Sequence, residues 1–119
     1  MQTLAELRAY CQTKPSSQED MPFGPEVLTF KVGGKMYALC QLTENPLRIN
    51  LKCEPELAEL LRAKHPAILP GYHMNKRHWN TLILDGSLTH TTLTELIDLS
   101  YELVLAKLSK QERNSLQAN

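Results

Sequence analysis

Neither sign of charge is in excess in this 119-residue sequence, where 13 Lys and Arg stand against 13 Asp and Glu. A protein without net charge has no long-range positive field to draw in nucleic acid, so any such attraction has to be local. Long apolar runs are also missing. None approaches the roughly 20 residues that a membrane helix requires, and the opening Met1-Gln-Thr-Leu-Ala-Glu-Leu-Arg8 has no apolar signal core. A cytoplasmic protein with no membrane partner is expected. Cysteine is scarce: Cys11, Cys40 and Cys53 are an odd number at spacings unlike any CxxC site. That argues against a disulfide framework or a zinc site and for buried, reduced thiols.

Catalytic signatures are lacking as well. No GxSxG or HExxH occurs, and Gly33-Gly34 is without the longer glycine pattern and following helix of a phosphate cradle, so it marks a turn. His65, His73, His78 and His90 would form a metal set only if the fold gathered them, and no acid or cysteine lies at ligand spacing beside them. The expectation is a protein that is not an enzyme and that uses no metal or cofactor.

What is present is an ordinary globular composition, 42% hydrophobic and 22% charged, which fits a single domain over residues 1–119 with one core. Thr3 with Glu6 makes a capping box for a helix from about Thr3 to Thr13. Pro15 to Pro25 is dense in turn formers and is expected to be a loop. From Val27 to Cys53 the apolar period becomes two, which predicts a three-stranded meander turning at Gly33-Gly34 and at Thr43-Glu-Asn-Pro46. Pro55 opens a helix to His65 with Leu57, Leu60, Leu61 and Lys64 on one stripe. A loop from Pro66 to about Met74 precedes a strand over His78–Leu84 and the Asp85-Gly86 turn. Thr92 with Glu95 then caps a long helix to about Leu108 that buries Leu93, Leu96, Ile97, Val104 and Leu108. The polar tail 109–119 is expected to fray. The fold class is α+β, an antiparallel sheet packed against helices.

Register follows from parity, because residues paired across strands share a face. A two-residue loop at Gly33-Gly34 pairs Phe30 with Tyr37 and splits the apolar sets, whereas an odd loop with a bulge unites them. The odd loop is predicted. It places Leu28, Phe30, Met36, Ala38, Ile49 and Leu51 under the helices. In the second hairpin Cys40 faces Ile49 and Met36 faces Cys53. Lys31, Tyr37, Gln41, Arg48, Asn50 and Lys52 then share the outer face.

Between Val27 and Cys53, and from Pro70 to Leu84, the cations are Lys31, Lys35, Arg48, Lys52, Lys76 and Arg77, and Glu44 is the one acid. The final helix carries Glu95, Asp98 and Glu102 before Lys107, so the neutral total conceals a basic sheet side and an acidic helical side. The segment Pro70-Gly-Tyr-His-Met-Asn-Lys-Arg-His-Trp79 adds aromatics to cations, the combination that neutralises phosphates while a ring stacks on a base. Candidate DNA-binding residues are Lys31, Lys35, Arg48, Lys52, Tyr72, His73, Lys76 and Arg77. The competing reading makes these charges a solvated rim, with Tyr72 and Trp79 plugging the edge of the core.

The segment Met21-Pro-Phe-Gly-Pro-Glu-Val-Leu-Thr-Phe-Lys-Val-Gly-Gly-Lys-Met-Tyr-Ala-Leu39 resembles the MmcQ/YjbR family. So do Ile49-Asn-Leu-Lys-Cys-Glu-Pro-Glu-Leu57, continuing through Arg62, and Pro70-Gly-Tyr-His-Met-Asn-Lys-Arg-His-Trp-Asn-Thr81 with Leu84-Asp-Gly86. The resemblance spans nearly the whole chain. It implies helices packed on an antiparallel sheet in a double-wing DNA-binding arrangement, two β-hairpin loops serving as wings. By position these are Val32-Gly-Gly-Lys35 and either the Asp85-Gly86 turn or the preceding basic loop. The expected function is weak, largely sequence-independent DNA binding. Readings from other classes are a protein-interaction or chaperone-like module docking a protein or peptide and, third, a small-molecule sensor or an enzyme without a known motif. Salt separates the first two, since phosphate contacts weaken steeply with salt and apolar docking does not.

Overall fold

Thr3 opens α1 (Leu4–Gln12), its hydroxyl accepting the Glu6 N–H at 3.2 Å and donating to the Glu6 carboxylate at 3.0 Å. This is the capping box expected from the sequence. The structure, a computed structural model, describes residues 1–72 and 74–117, with Gln117 in backbone alone. Six strands follow α1 in one antiparallel sheet: β1 (Gln18–Asp20), β2 (Val27–Val32), β3 (Lys35–Gln41), β4 (Arg48–Lys52), β5 (Ile68–Pro70) and β6 (Trp79–Ile83). Their order across the sheet is β1-β2-β3-β4-β6-β5. Helix α2 (Pro55–Lys64) links β4 to β5, and α3 (His90–Ala106) and α4 (Lys110–Gln117) close the chain.

The register of the meander is the one parity requires, but the device that achieves it is different. Phe30 pairs with Ala38, Leu28 with Cys40 and Cys40 with Ile49. The loop is not odd. Val32 pairs with Lys35 across a two-residue turn in which Gly33 (φ 59) and Gly34 (φ 76) are both left-handed, the conformation that a type I′ hairpin demands and glycine supplies without strain. The extra residue lies inside β3, where Tyr37 bulges between the Phe30–Ala38 and Lys31–Met36 pairs. Met36, expected under the helices, is thereby paired with Lys31 on the opposite face and half-buried. Tyr37, expected outside, is fully buried. Its ring meets Tyr101 of α3 edge-on at 5.3 Å. Its hydroxyl lies 2.6 Å from the Ser17 hydroxyl and donates to the Cys11 carbonyl at 3.3 Å.

A bulge interrupts the ladder, and α3 repairs the gap. The Ser100 hydroxyl donates to the Tyr37 carbonyl at 2.5 Å and accepts the Lys52 N–H at 2.8 Å, replacing the strand-to-strand bond that β3 and β4 cannot make there. A side chain larger than Ser would hold the helix off the sheet. Leu93, Leu96, Ile97, Val104 and Leu108 are buried as predicted. The helix starts earlier than expected, because Thr89 rather than Thr92 is the cap and accepts the Thr92 N–H at 3.1 Å.

Other expectations need correcting. The loop from Pro15 to Pro25 contains β1, and the loop from Pro66 to Met74 contains β5; each is a three-residue edge strand held by its longer neighbour. The stripe of α2 is split: Leu61 packs partly buried against the core beside the buried Ala58, whereas Leu57 is 36% and Leu60 67% exposed. The tail expected to fray from Ser109 continues as α4, opened by a Ser109–Glu112 capping box. The outer face is not a basic plane. Thr29, Leu39, Asn50 and Thr81 run across its middle and are buried. Cys11, Cys40 and Cys53 are all free and buried, and burial pushes the Cys11 and Cys40 thiols up to about 12. No described helix is long and apolar enough to cross a membrane.

Candidate nucleic-acid interface

Antiparallel pairing decides which loops share an end of the sheet. Lys52, the last residue of β4, pairs with Trp79, the first of β6. Gly71, just past β5, gives its N–H to the Trp79 carbonyl at 2.9 Å. The Gly33-Gly34 turn and the 71–78 loop therefore emerge at the same end of the sheet, on either side of β4. At about 4.8 Å per strand, three strand spacings set the two tips about 14 Å apart. The Asp85-Gly86 turn, the other candidate wing, lies at the opposite end beyond β6. Of the two positions for the second wing, the basic loop is the one that accompanies Gly33-Gly34.

Helix α3 ends at the same end. A Cβ on Gly33 would fall 2.6 Å from Leu108 Cδ1, so the hairpin tip rests on the residue after the α3 cap. This brings Lys107, the C-cap, to Lys35 and Lys52. Burial, then the neighbouring Lys107 and Lys35 ammoniums, hold Lys52 below the usual lysine value; Lys35 also acts on the Glu112 carboxylate. Among the described residues none of Lys35, Lys52, Lys107, Lys76 and Arg77 is in an ion pair.

The 71–78 loop is fixed from beneath. The Tyr72 N–H donates to the Thr81 hydroxyl at 2.9 Å, and that hydroxyl donates in turn to the Asn50 side-chain carbonyl. Arg62 of α2 reaches the Lys76 carbonyl at 3.3 Å, and Asn75 accepts the Arg77 N–H at 3.0 Å. Gly71 is a glycine of necessity, since a Cβ there would sit 2.8 Å from Trp79 Cβ and 2.9 Å from its carbonyl oxygen. Tyr72 is 52% exposed, Trp79 is partly buried, and His73 lies outside the described residues.

The remaining candidates separate from this group. Lys31 is paired with Asp20 at 3.0 Å, a partner supplied by β1. Arg48 lies at the far end of the sheet, 4.0 Å from Glu44. Tyr37, once assigned to the outer face, is in the core. Lys107 was missed; its one sequence signal was a cation directly after an acidic helix. Among the described residues no three His, Cys, Asp or Glu side chains converge as metal ligands would.

These features define an α+β protein built on an open six-stranded antiparallel sheet with helices on one face. The chain belongs to the YjbR family, whose model matches residues 12–103. The uncharacterized protein YjbR of Escherichia coli (strain K12) is 37% identical over 114 residues, which cover 96% of this chain and 97% of that protein. Among solved structures, Deinococcus radiodurans protein DR2400, a DUF419 domain, superposes with a TM-score of 0.92 at 48% identity, covering 98% of this chain and 89% of that one. A Pseudomonas syringae protein superposes at 0.75 with 33% identity, covering 86% and 98%.

Proposed function

We propose that this protein binds duplex DNA through its phosphate backbone, using the two hairpin loops at one end of the sheet as wings. The observation that supports this is the convergence of Lys35, Lys52, Lys107, Lys76 and Arg77 on that end, none of them in an ion pair among the described residues, although Lys35 also acts on the Glu112 carboxylate. Loops about 14 Å apart match the width of a DNA groove, about 12 Å for the major groove, so each could follow one of the strands that border it. Lysines and an arginine on flexible stems meet phosphates as charges and carry little base information, which makes the binding weak and largely independent of sequence. Binding rather than catalysis is the activity proposed. Three buried thiols suit the reducing cytoplasm.

Fluorescence anisotropy with a labelled duplex at several salt concentrations tests the reading. Five phosphate contacts give log affinity a slope of about −4.5 against log salt, and duplexes of unrelated sequence should give the same curve. No binding at low salt, or binding insensitive to salt, would remove the proposal in favour of a protein partner.

A further inference from the structure

Helix α2 has the pattern of a core helix and does not pack like one. Its sequence, Pro55-Glu-Leu-Ala-Glu-Leu-Leu-Arg-Ala-Lys64, puts Leu57 and Leu60 on a stripe, yet the helix packs inward through Ala58 and Leu61, and those two leucines face solvent. The apolar surface continues onto α3, where Leu99 is 44% exposed and shares a shallow groove with Leu61. Isolated exposed leucines are common, but adjoining ones on two helices mark a contact surface.

The charges on the exposed stripe indicate what covers it. Read outward from Leu60, Glu56 lies four residues before and Lys64 four after, while Leu57 lies three before and Ala63 three after. Arg62 does not belong to this stripe, because it is turned toward the Ala58 and Lys76 carbonyls. An antiparallel copy of the helix, related by a two-fold axis at Leu60, would set Glu56 against Lys64 twice. Leu60 would meet its own counterpart, and Leu57 would meet the small Ala63, which permits close approach. An isologous contact requires this self-complementarity, and a foreign peptide would have no reason to match it.

We propose that the outward face of α2 is a homodimer interface, formed by two antiparallel α2 helices crossing at Leu60 with Leu99 of each copy at the margin. The helix spans about 15 Å, so the contact is small and the dimer weak, populated at high protein concentration. It uses neither the lysines nor the wings of the proposed DNA site.

Sedimentation velocity of the full chain over a wide concentration range is the test. The mass should rise from 13.5 kDa toward twice that value as concentration increases. Leu60→Glu should hold the chain at monomer mass, with an unchanged thermal melt because the residue is exposed. Glu56→Lys or Lys64→Glu alone should weaken association about tenfold, each replacing two attractions by two repulsions. The double variant carrying both changes should recover it. A wild-type chain that stays at 13.5 kDa at the highest concentration, or a double variant that fails to recover, would overturn the proposal. Neither outcome bears on DNA binding, which anisotropy reads at low protein concentration.

Discussion

The two ends of the sheet use similar charges to opposite effect. At the far end Arg48 lies 4.0 Å from Glu44, and Glu26 and Asp85 flank the strand ends, so this cation has acids close to home. Asp85 is itself satisfied: the Ser87 hydroxyl and N–H both donate to its carboxylate and hold it below the usual range. At the near end Lys52 is partly buried beside Lys107 and Lys35, and burial first, then those like charges, lower its affinity for a proton. Ion pairing at a surface is worth little, about 0–1 kcal/mol, so the far end gains no great stability from it. What the far end lacks is uncommitted positive charge, and the near end has it in two places.

Substitution of cations at each end breaks or sharpens this contrast. Replacing Lys35, Lys52 and Lys107 together by Ala should reduce the salt slope of duplex binding by about 2.7, at about 0.9 per phosphate contact, and Lys76→Ala with Arg77→Ala by roughly two. Arg48→Ala, at the far end, should leave the slope unchanged. A triple variant that binds like wild type, or an Arg48 variant that loses affinity, would erase the distinction between the ends.

A second variant tests the join that gives the near end its shape. Ser100→Ala leaves the Lys52 N–H and the Tyr37 carbonyl without their bridge, and losing such a buried pair costs about 1–3 kcal/mol. Urea unfolding should show a loss in this range, with amide exchange accelerating first around Lys52. A loss spread evenly over both ends would place the importance of Ser100 in general packing instead.

The smallest effect is a titration. In the folded chain Lys52 releases its proton below 10.5, while the unfolded chain still holds it. Between the two values the unfolded state binds more protons, so stability rises with pH through that window, and the penalty present below it is gone above 10.5. Lys107→Met should move the Lys52 amine, followed by NMR, back toward 10.5 and flatten this alkaline gain. A Lys52 titration untouched by the change would separate the two ammoniums.

Much of the sheet was legible because alternation survives in sequence; parity alone paired Cys40 with Ile49 and limited the partner of Phe30 to Met36 or Ala38, of which the structure has Ala38. Parity gives only the sum of loop and bulge, however. It could not show that Gly33-Gly34 satisfies a two-residue turn and leaves the odd residue to β3. Strands β1 and β5 were illegible because three residues beside turn formers have no period of their own; pairing with β2 and β6 makes them strands. The spacing in α2 revealed a stripe but not its direction, which the small Ala58 decided by letting the other side approach the sheet. In the site, Lys35 and Lys52 were visible as cations. That Lys31 is taken by Asp20 depends on β1, and that Lys107 joins Lys52 depends on where α3 ends.

Tyr37 has a consequence in terms of chain length. The ladder does not require it: with that residue deleted, Val32 would still face Lys35, Lys31 would face Met36 and Phe30 would face Ala38. Every other side chain would keep its side of the sheet. Position 37 is thus a place where a one-residue insertion or deletion leaves the register of the meander intact, although one-residue length changes elsewhere in a strand turn everything beyond them over. The deletion would instead remove the ring beneath α3 and the hydroxyl that ties Ser17 and the end of α1 to the sheet.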